Sequence, residues 1–174
     1  MAKKLKLSRV FSATFYLVVF YLLFSCSDTE DNINFENVEV NISVNRLDSA
    51  LFNSKDKAQI KSLIDNNRRV FNKYLELDKL PHDSILINFL YTRVNNPSVD
   101  SFYRQCDSVY GDFEKWQIEI ESLFKHVKFY FPEFEEPEIS TLFTAFLTPS
   151  DIIIDQKDII IGLEYFIGKH AMYI

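Results

Sequence analysis

The hydrophobic pattern of this chain changes period twice, and that change restricts the fold class more than any single residue does. Val38, Val40, Ile42 and Val44 alternate with Glu39, Asn41, Ser43 and Asn45. A period of two in β-branched residues predicts a half-buried strand. From residue 55 to residue 130 the apolar residues recur at helical spacing instead. One helix is predicted over 55–77, with Ser54 as its cap and Ile60, Leu63, Ile64, Phe71, Tyr74 and Leu75 on one stripe. Pro81 and Asp83 open a second over 84–93. Ser98 or Asp100 starts a third, which carries Phe102, Cys106, Val109 and Tyr110 and stops at Gly111. Asp112 starts a longer one to about residue 130, with Phe113, Trp116, Ile120, Leu123, Phe124 and Val127 inward and Pro132 as its stop. Residues 138–146 are again β-branched and aromatic and read as a strand. Residues 151–154 and 157–161 read as a hairpin around Asp155-Gln156, and 162–168 as a helix or a loop. The predicted class is α+β: an N-terminal strand, a helical region, then an antiparallel sheet.

The N-terminus follows a different logic. Lys3, Lys4, Lys6 and Arg9 precede a run of 16 uncharged residues, 10–25. Basic start and apolar stretch are the marks of a secretory signal. As a helix that run rises about 24 Å, short of a hydrocarbon core of about 30 Å. The run ends Leu23-Phe24-Ser25-Cys26, which resembles the lipobox of bacterial lipoproteins: an aliphatic residue three before the Cys and a small one just before it. The expectation is a lipoprotein signal peptide over 1–25 and a mature chain that begins at a lipidated Cys26. Residues 26–37 form a polar tether, and 38–174 the α+β domain. Two or three acyl chains anchor a protein stably where one does not. Ser27-Asp28-Thr29-Glu30-Asp31 resembles the surface-export signal of Bacteroidetes lipoproteins, and it also suits a plain solvated tether.

Charge and composition then exclude several functions. Loss of residues 1–25 removes four basic residues and no acid, which takes the net charge from −6 to about −10. Such a chain repels nucleic acid and anionic lipid, so no nucleic-acid partner is expected and the lipid must hold the protein to the membrane. Three Gly and five Pro exclude low-complexity and collagen-like chains. Two Cys make neither a disulfide framework nor a structural zinc site. The 17 Phe and 9 Tyr are mostly core, and those left outside suggest a protein interface.

No residue constellation announces catalysis, a cofactor or a metal. HExxH, GxGxxG, the Walker A pattern and GxSxG are absent. His82 follows Pro81 in a turn, His126 lies near a helix face, and His170 is the third. Cys106 reads as a buried inert thiol. Glu133, Glu135, Glu136 and Glu138 interleave with Phe131 and Phe134 and read as a solvated rim beside packed aromatics. Asp151, Asp155 and Asp158 lack calcium-loop spacing. The sequence ends in His170-Ala171-Met172-Tyr173-Ile174 where domain ends are usually polar, so continuation past Ile174 is expected.

Four stretches carry a family resemblance: VNRLDSALF at 44–52, LPHDSI at 80–85, FKHVKFYFPEFEEPEISTLFTAF at 124–146, and IIIGLEYFIGKHAMY at 159–173. With the lipobox they resemble the gliding-motility lipoprotein B family, GldB, of gliding Bacteroidetes, over the N-terminal half of that family's usual length. The resemblance implies a non-enzymatic, lipid-anchored envelope protein needed for gliding motility and its associated secretion apparatus, probed by palmitate labelling at Cys26. Its partners would be the membrane and other gliding-motility envelope proteins, and its place the outer membrane, with surface exposure open. The family is distantly similar to zincin-like peptidases. An envelope metallopeptidase or its inactive relative, built on the N-terminal half of a zincin-like fold, therefore stays open. So does a surface ligand-binding lipoprotein. Only Cys26 carries over as a functional residue.

Overall fold

The computed structural model describes residues 37–168 and Ala171, all within one compact unit, Phe35–Ile174. Cys26, the signal segment expected over 1–25 and His170 lie outside the described residues.

The described fold is α+β. β1 (Val44–Arg46) leads into α1 (Leu47–Phe52), α2 (Lys57–Asn66), α3 (Arg68–Leu75) and a 3₁₀ turn (Leu77–Lys79). α4 (Asp83–Val94), α5 (Pro97–Tyr110) and α6 (Glu114–Tyr130) follow. β2 (Glu138–Leu142), β3 (Ile152–Asp155), β4 (Asp158–Gly162) and a second 3₁₀ turn (Leu163–Phe166) complete the described elements.

The sheet is mixed, which corrects the antiparallel expectation. Its order is β1-β2-β4-β3. β1, β2 and β4 run parallel, and only β3 opposes β4. The hairpin was legible because its turn is short, but its placement was not. β4 enters beside β2 and β3 stays at the edge. Ile159, Ile160 and Ile161 suit that interior place, because a strand covered on both faces reads as an unbroken apolar run.

The N-terminal strand is shorter than its alternation suggests. Side chains from residue 38 to residue 46 do alternate between exposed and covered, yet only three residues pair. Val44 sits opposite Ile139, so the same register sets Ile42 against Pro137, which has no N–H to donate. The single helix predicted over 55–77 is two. Asn67, at φ −127° and ψ 31°, breaks it, and its Nδ2 donates to the Leu63 carbonyl at 2.9 Å. A side chain that competes for backbone groups interrupts a helix. The cap is Asp56, which accepts from the Gln59 N–H at 2.9 Å, while the Ser54 hydroxyl donates to the Ala50 carbonyl. α5 begins with Pro97 at its first turn and Asn96 as its cap, one residue before Ser98. Gly111 ends it at φ 53°, as its lack of a Cβ allows.

Both faces of the sheet are covered over β2 and β4, while Ile152 and Ile154 of the edge strand β3 stay exposed. Leu142, Ile160 and Ile153 face a core built from α1 to α4: Leu47, Leu51, Ile60, Ile64, Phe71, Tyr74 and Leu90. Ile139, Ile159 and Ile161 face Phe124, Ile120 and Val127 of α6. A third cluster joins Phe102, Tyr103 and Cys106 of α5 to Phe143 and Leu163. Ring contacts tighten it: Phe52 stacks on Tyr103 with centroids 3.9 Å apart.

Candidate functional site

Two buried acids, both set in apolar sequence, organise the sheet's C-terminal end. Asp48 follows Leu47 in the first turn of α1 and is fully buried. Its carboxylate accepts from Arg46 Nε at 2.9 Å and Arg46 Nη2 at 2.8 Å, and also from the Thr141 hydroxyl of β2. Arg46 Nη1 donates to the Gly111 carbonyl at 2.7 Å, and its guanidinium lies over Phe113. Burial alone lowers the Arg46 pKa, but the Asp48 hydrogen bond and charge outweigh it and hold that pKa above its ordinary value. β1, α1, β2 and the α5 terminus are thereby tied at one point.

Glu164 is the second acid. One carboxylate oxygen accepts from the Thr144 N–H and hydroxyl, each at 2.8 Å, and from the Phe146 N–H at 3.2 Å. These donors converge because Ala145 and Phe146 adopt φ 52° and 61°, a conformation that side-chain-bearing residues rarely take. Arg93 grips the same bend from α4, through the Thr144 and Ala145 carbonyls at 2.7 and 2.9 Å. The other Glu164 oxygen, Oε2, is buried with no hydrogen-bond partner. Tyr165 packs its ring edge-on against Phe146 and donates to the Thr148 carbonyl. Tyr74 donates to the Ser150 carbonyl at 2.9 Å, and burial pushes its phenol pKa up.

Residues 147–150 of the loop so held line an apolar groove of about 500 Å³. Ile85 and Phe89 of α4, Leu80 from the segment before α4 and Ile153 of β3 also line it. Lys73 stands at its end but is committed: Asp155 at 2.7 Å and Asp158 at 2.6 Å hold it charged and raise its pKa. Arg69 joins Asp158 at 2.8 Å and also pairs with Glu138. The groove therefore offers apolar walls with a few backbone carbonyls, a surface suited to holding apolar groups.

Several residues singled out from sequence have a place among the described residues. Asp155 and Asp158 flank the hairpin turn, where Gln156 sits at φ 55°, and serve as anchors for Lys73 and Arg69. Glu135, Glu136 and Glu138 pair with Lys157, Lys128 and Arg69 respectively, and Glu133 is exposed, so the cluster is a solvated rim. His82 precedes α4 without capping it. His126 is exposed, with Nδ1 2.6 Å from the Ser122 carbonyl. Cys106 is buried, and burial pushes its thiol pKa up. Among the described residues no three His, Cys, Asp or Glu come together as a metal site. None of their helices is long and apolar enough to cross a membrane.

Sequence reasoning missed the roles of Asp48 and Glu164. The signal was present: each is a lone acid between residues that pack inward, within VNRLDSALF and IIIGLEYF. LPHDSI likewise supplies Leu80 and Ile85 to the groove, and Asp83 to an ion pair with Arg68 at 2.7 Å. With Thr141, Thr144 and Phe146 from the 124–146 stretch, all four marker stretches thus contribute to one end of the sheet.

Fold and site together define an α+β domain with a mixed sheet, an acid-pinned loop and an apolar groove. A family model described as gliding motility protein GldB matches residues 28–174, and the chain belongs to that family. No curated protein and no solved structure matches it.

Proposed function

We propose that this chain is a lipid-anchored envelope component of the gliding machinery, held to the outer membrane through Cys26 and acting by binding other envelope proteins. The single observation that carries the reading is the family match over residues 28–174, which begins two residues after a lipobox Cys. The described domain supports it in a second way. Its buried acids are used to fix side chains and backbone of the fold, and one of its concavities is apolar, so these features serve shape and contact. Loss of the secreted body's membrane attachment would remove it from the assembly even with the fold intact.

The test is genetic. A deletion strain is complemented with the parent chain or with Cys26→Ser, and spreading and single-cell gliding are scored beside protein abundance. Restoration by the parent and failure by Cys26→Ser at equal abundance is the expected result. A deletion strain that glides normally refutes the assignment.

A further inference from the structure

We infer that Phe129, Tyr130 and Phe131, at the end of α6, form a membrane-facing patch that seats the domain on the interface of the bilayer to which its N-terminus is anchored. The inference rests on the lipid-anchor reading and adds which face of the body meets the membrane.

Three adjacent aromatics are exposed there, Phe129 at 42%, Tyr130 at 58% and Phe131 at 67%. Their backbone is held in place. The Phe131 N–H donates to the Val127 carbonyl at 2.8 Å, and the Phe131 carbonyl accepts from the Phe134 N–H at 2.9 Å. Phe134 in turn stacks on Phe124 with centroids 5.2 Å apart. The bend therefore presents Phe131 outward on a rigid base. Neighbouring charge is neutralised in part, since Lys128 pairs with Glu136.

The occupant follows from where the anchored chain enters. β1 and β2 are parallel, with Val44 opposite Ile139. The residues before Val44 therefore lie at the same end of the sheet as the residues before Ile139, the 131–138 segment. Side-chain packing agrees: Val40 and Ile42 share a cluster with Phe124, Val127 and Phe134, and the Ile42 carbonyl accepts from Gln117 of α6 at 2.7 Å. The covalent chain from a lipidated Cys26 to Val38 reaches at most about 40 Å. The bilayer surface is thus held within that distance of Val38, at the end of the sheet that carries the patch. Tyr130, with its polar tip, prefers the headgroup region, and the Phe129 and Phe131 rings suit the boundary between headgroups and acyl chains. A zwitterionic surface suits a body of net charge about −10, which an anionic one would repel.

The experiment places the chain on phosphatidylcholine vesicles whose acyl chains are brominated, and reads tryptophan quenching. The chain is held in two ways: by its native acylation, and by coupling the Cys26 thiol of the unacylated mature chain to a maleimide lipid, with the buried Cys106 left unreacted. Phe131→Trp is compared with Phe166→Trp, an exposed position past the opposite end of β4, and with the parent chain, which carries only Trp116. Quenching at 131 several-fold above that at 166 under either tether is the expected result. Replacing Phe129 and Tyr130 by Ser should reduce it at least twofold while the melting transition stays in place. Equal quenching at 131 and 166, or self-association that protects residue 131 in the absence of lipid, overturns the patch. A chain that takes up no fatty acid in cells, yet shows quenching at 131 when maleimide-tethered, refutes the native anchor and supports the patch.

Discussion

Replacing Gly162 by Ala tests how the loop and the sheet are fitted together. Gly162 has φ −82° and ψ 102°, a backbone that any residue adopts, so the change acts through space alone. A Cβ there would stand 2.1 Å from the Tyr74 hydroxyl oxygen and 3.2 Å from Tyr74 Cζ and Tyr165 Cδ2. Ordinary contact needs more than an ångström beyond the first of these, and Tyr74 is buried in the helical core. Moving Tyr74 also breaks its hydrogen bond to the Ser150 carbonyl. Overpacking costs about 1–3 kcal/mol, and a lost hydrogen bond about 1 kcal/mol more. Gly162→Ala should therefore cost about 2–4 kcal/mol, a large part of a typical total of about 5–15 kcal/mol. Tyr74→Phe alone forfeits the hydrogen bond and should cost about 1 kcal/mol. In the double variant the colliding oxygen is gone, so the two costs should not add. The pair should be more stable than the sum of the singles by at least about 1 kcal/mol. Urea unfolding midpoints of the four proteins measure this. Additivity to within about 0.5 kcal/mol refutes the steric argument, as does a Gly162→Ala chain as stable as the parent.

Three further outcomes follow from the same contacts. Glu164→Ala leaves the Thr144 and Phe146 N–H groups without their acceptor and should cost about 2–4 kcal/mol, whereas Glu164→Gln keeps an acceptor and should cost much less; thermal melting separates them, and equal losses contradict the pinning role. Alkaline titration should lag: burial pushes Tyr110 up to about 12 and raises Tyr74 and Tyr103 as well, so their stabilisation is whole below about pH 10 and is lost as pH rises through the folded values. Absorbance at 295 nm of folded and guanidinium-unfolded chains reads it, and coincident curves contradict the burial. Cys106, buried and with a raised pKa, should resist an aromatic disulfide reagent until the protein is unfolded, and rapid reaction of the folded chain would show that the α5 cluster is open.

Element type was legible in the sequence wherever periodicity is set by one buried face. α4, α5 and α6 fall within two residues of their expected limits, and the β3–β4 hairpin lies where Asp155-Gln156 suggested. What escaped was decided by distant partners. The break at Asn67 comes from a side chain bonding back to Leu63, against a stripe that runs on unbroken. α1 is one and a half turns long, too short to show a period, and owes its place to Asp48 meeting Thr141 across 93 residues. Strand direction was hidden for a similar reason: an apolar run of isoleucines reports burial on both faces and says nothing about which neighbour it pairs with. Cys26, read from local motif alone, is the one functional residue that no tertiary contact was needed to propose.

The decisive measurement is the intact mass and N-terminal peptide of the protein purified from its own membranes. The account predicts a chain that starts at Cys26 and carries thioether-linked diacylglycerol, with a further acyl group on the new amine. A chain that retains Met1, or one whose Cys26 bears no lipid, contradicts it.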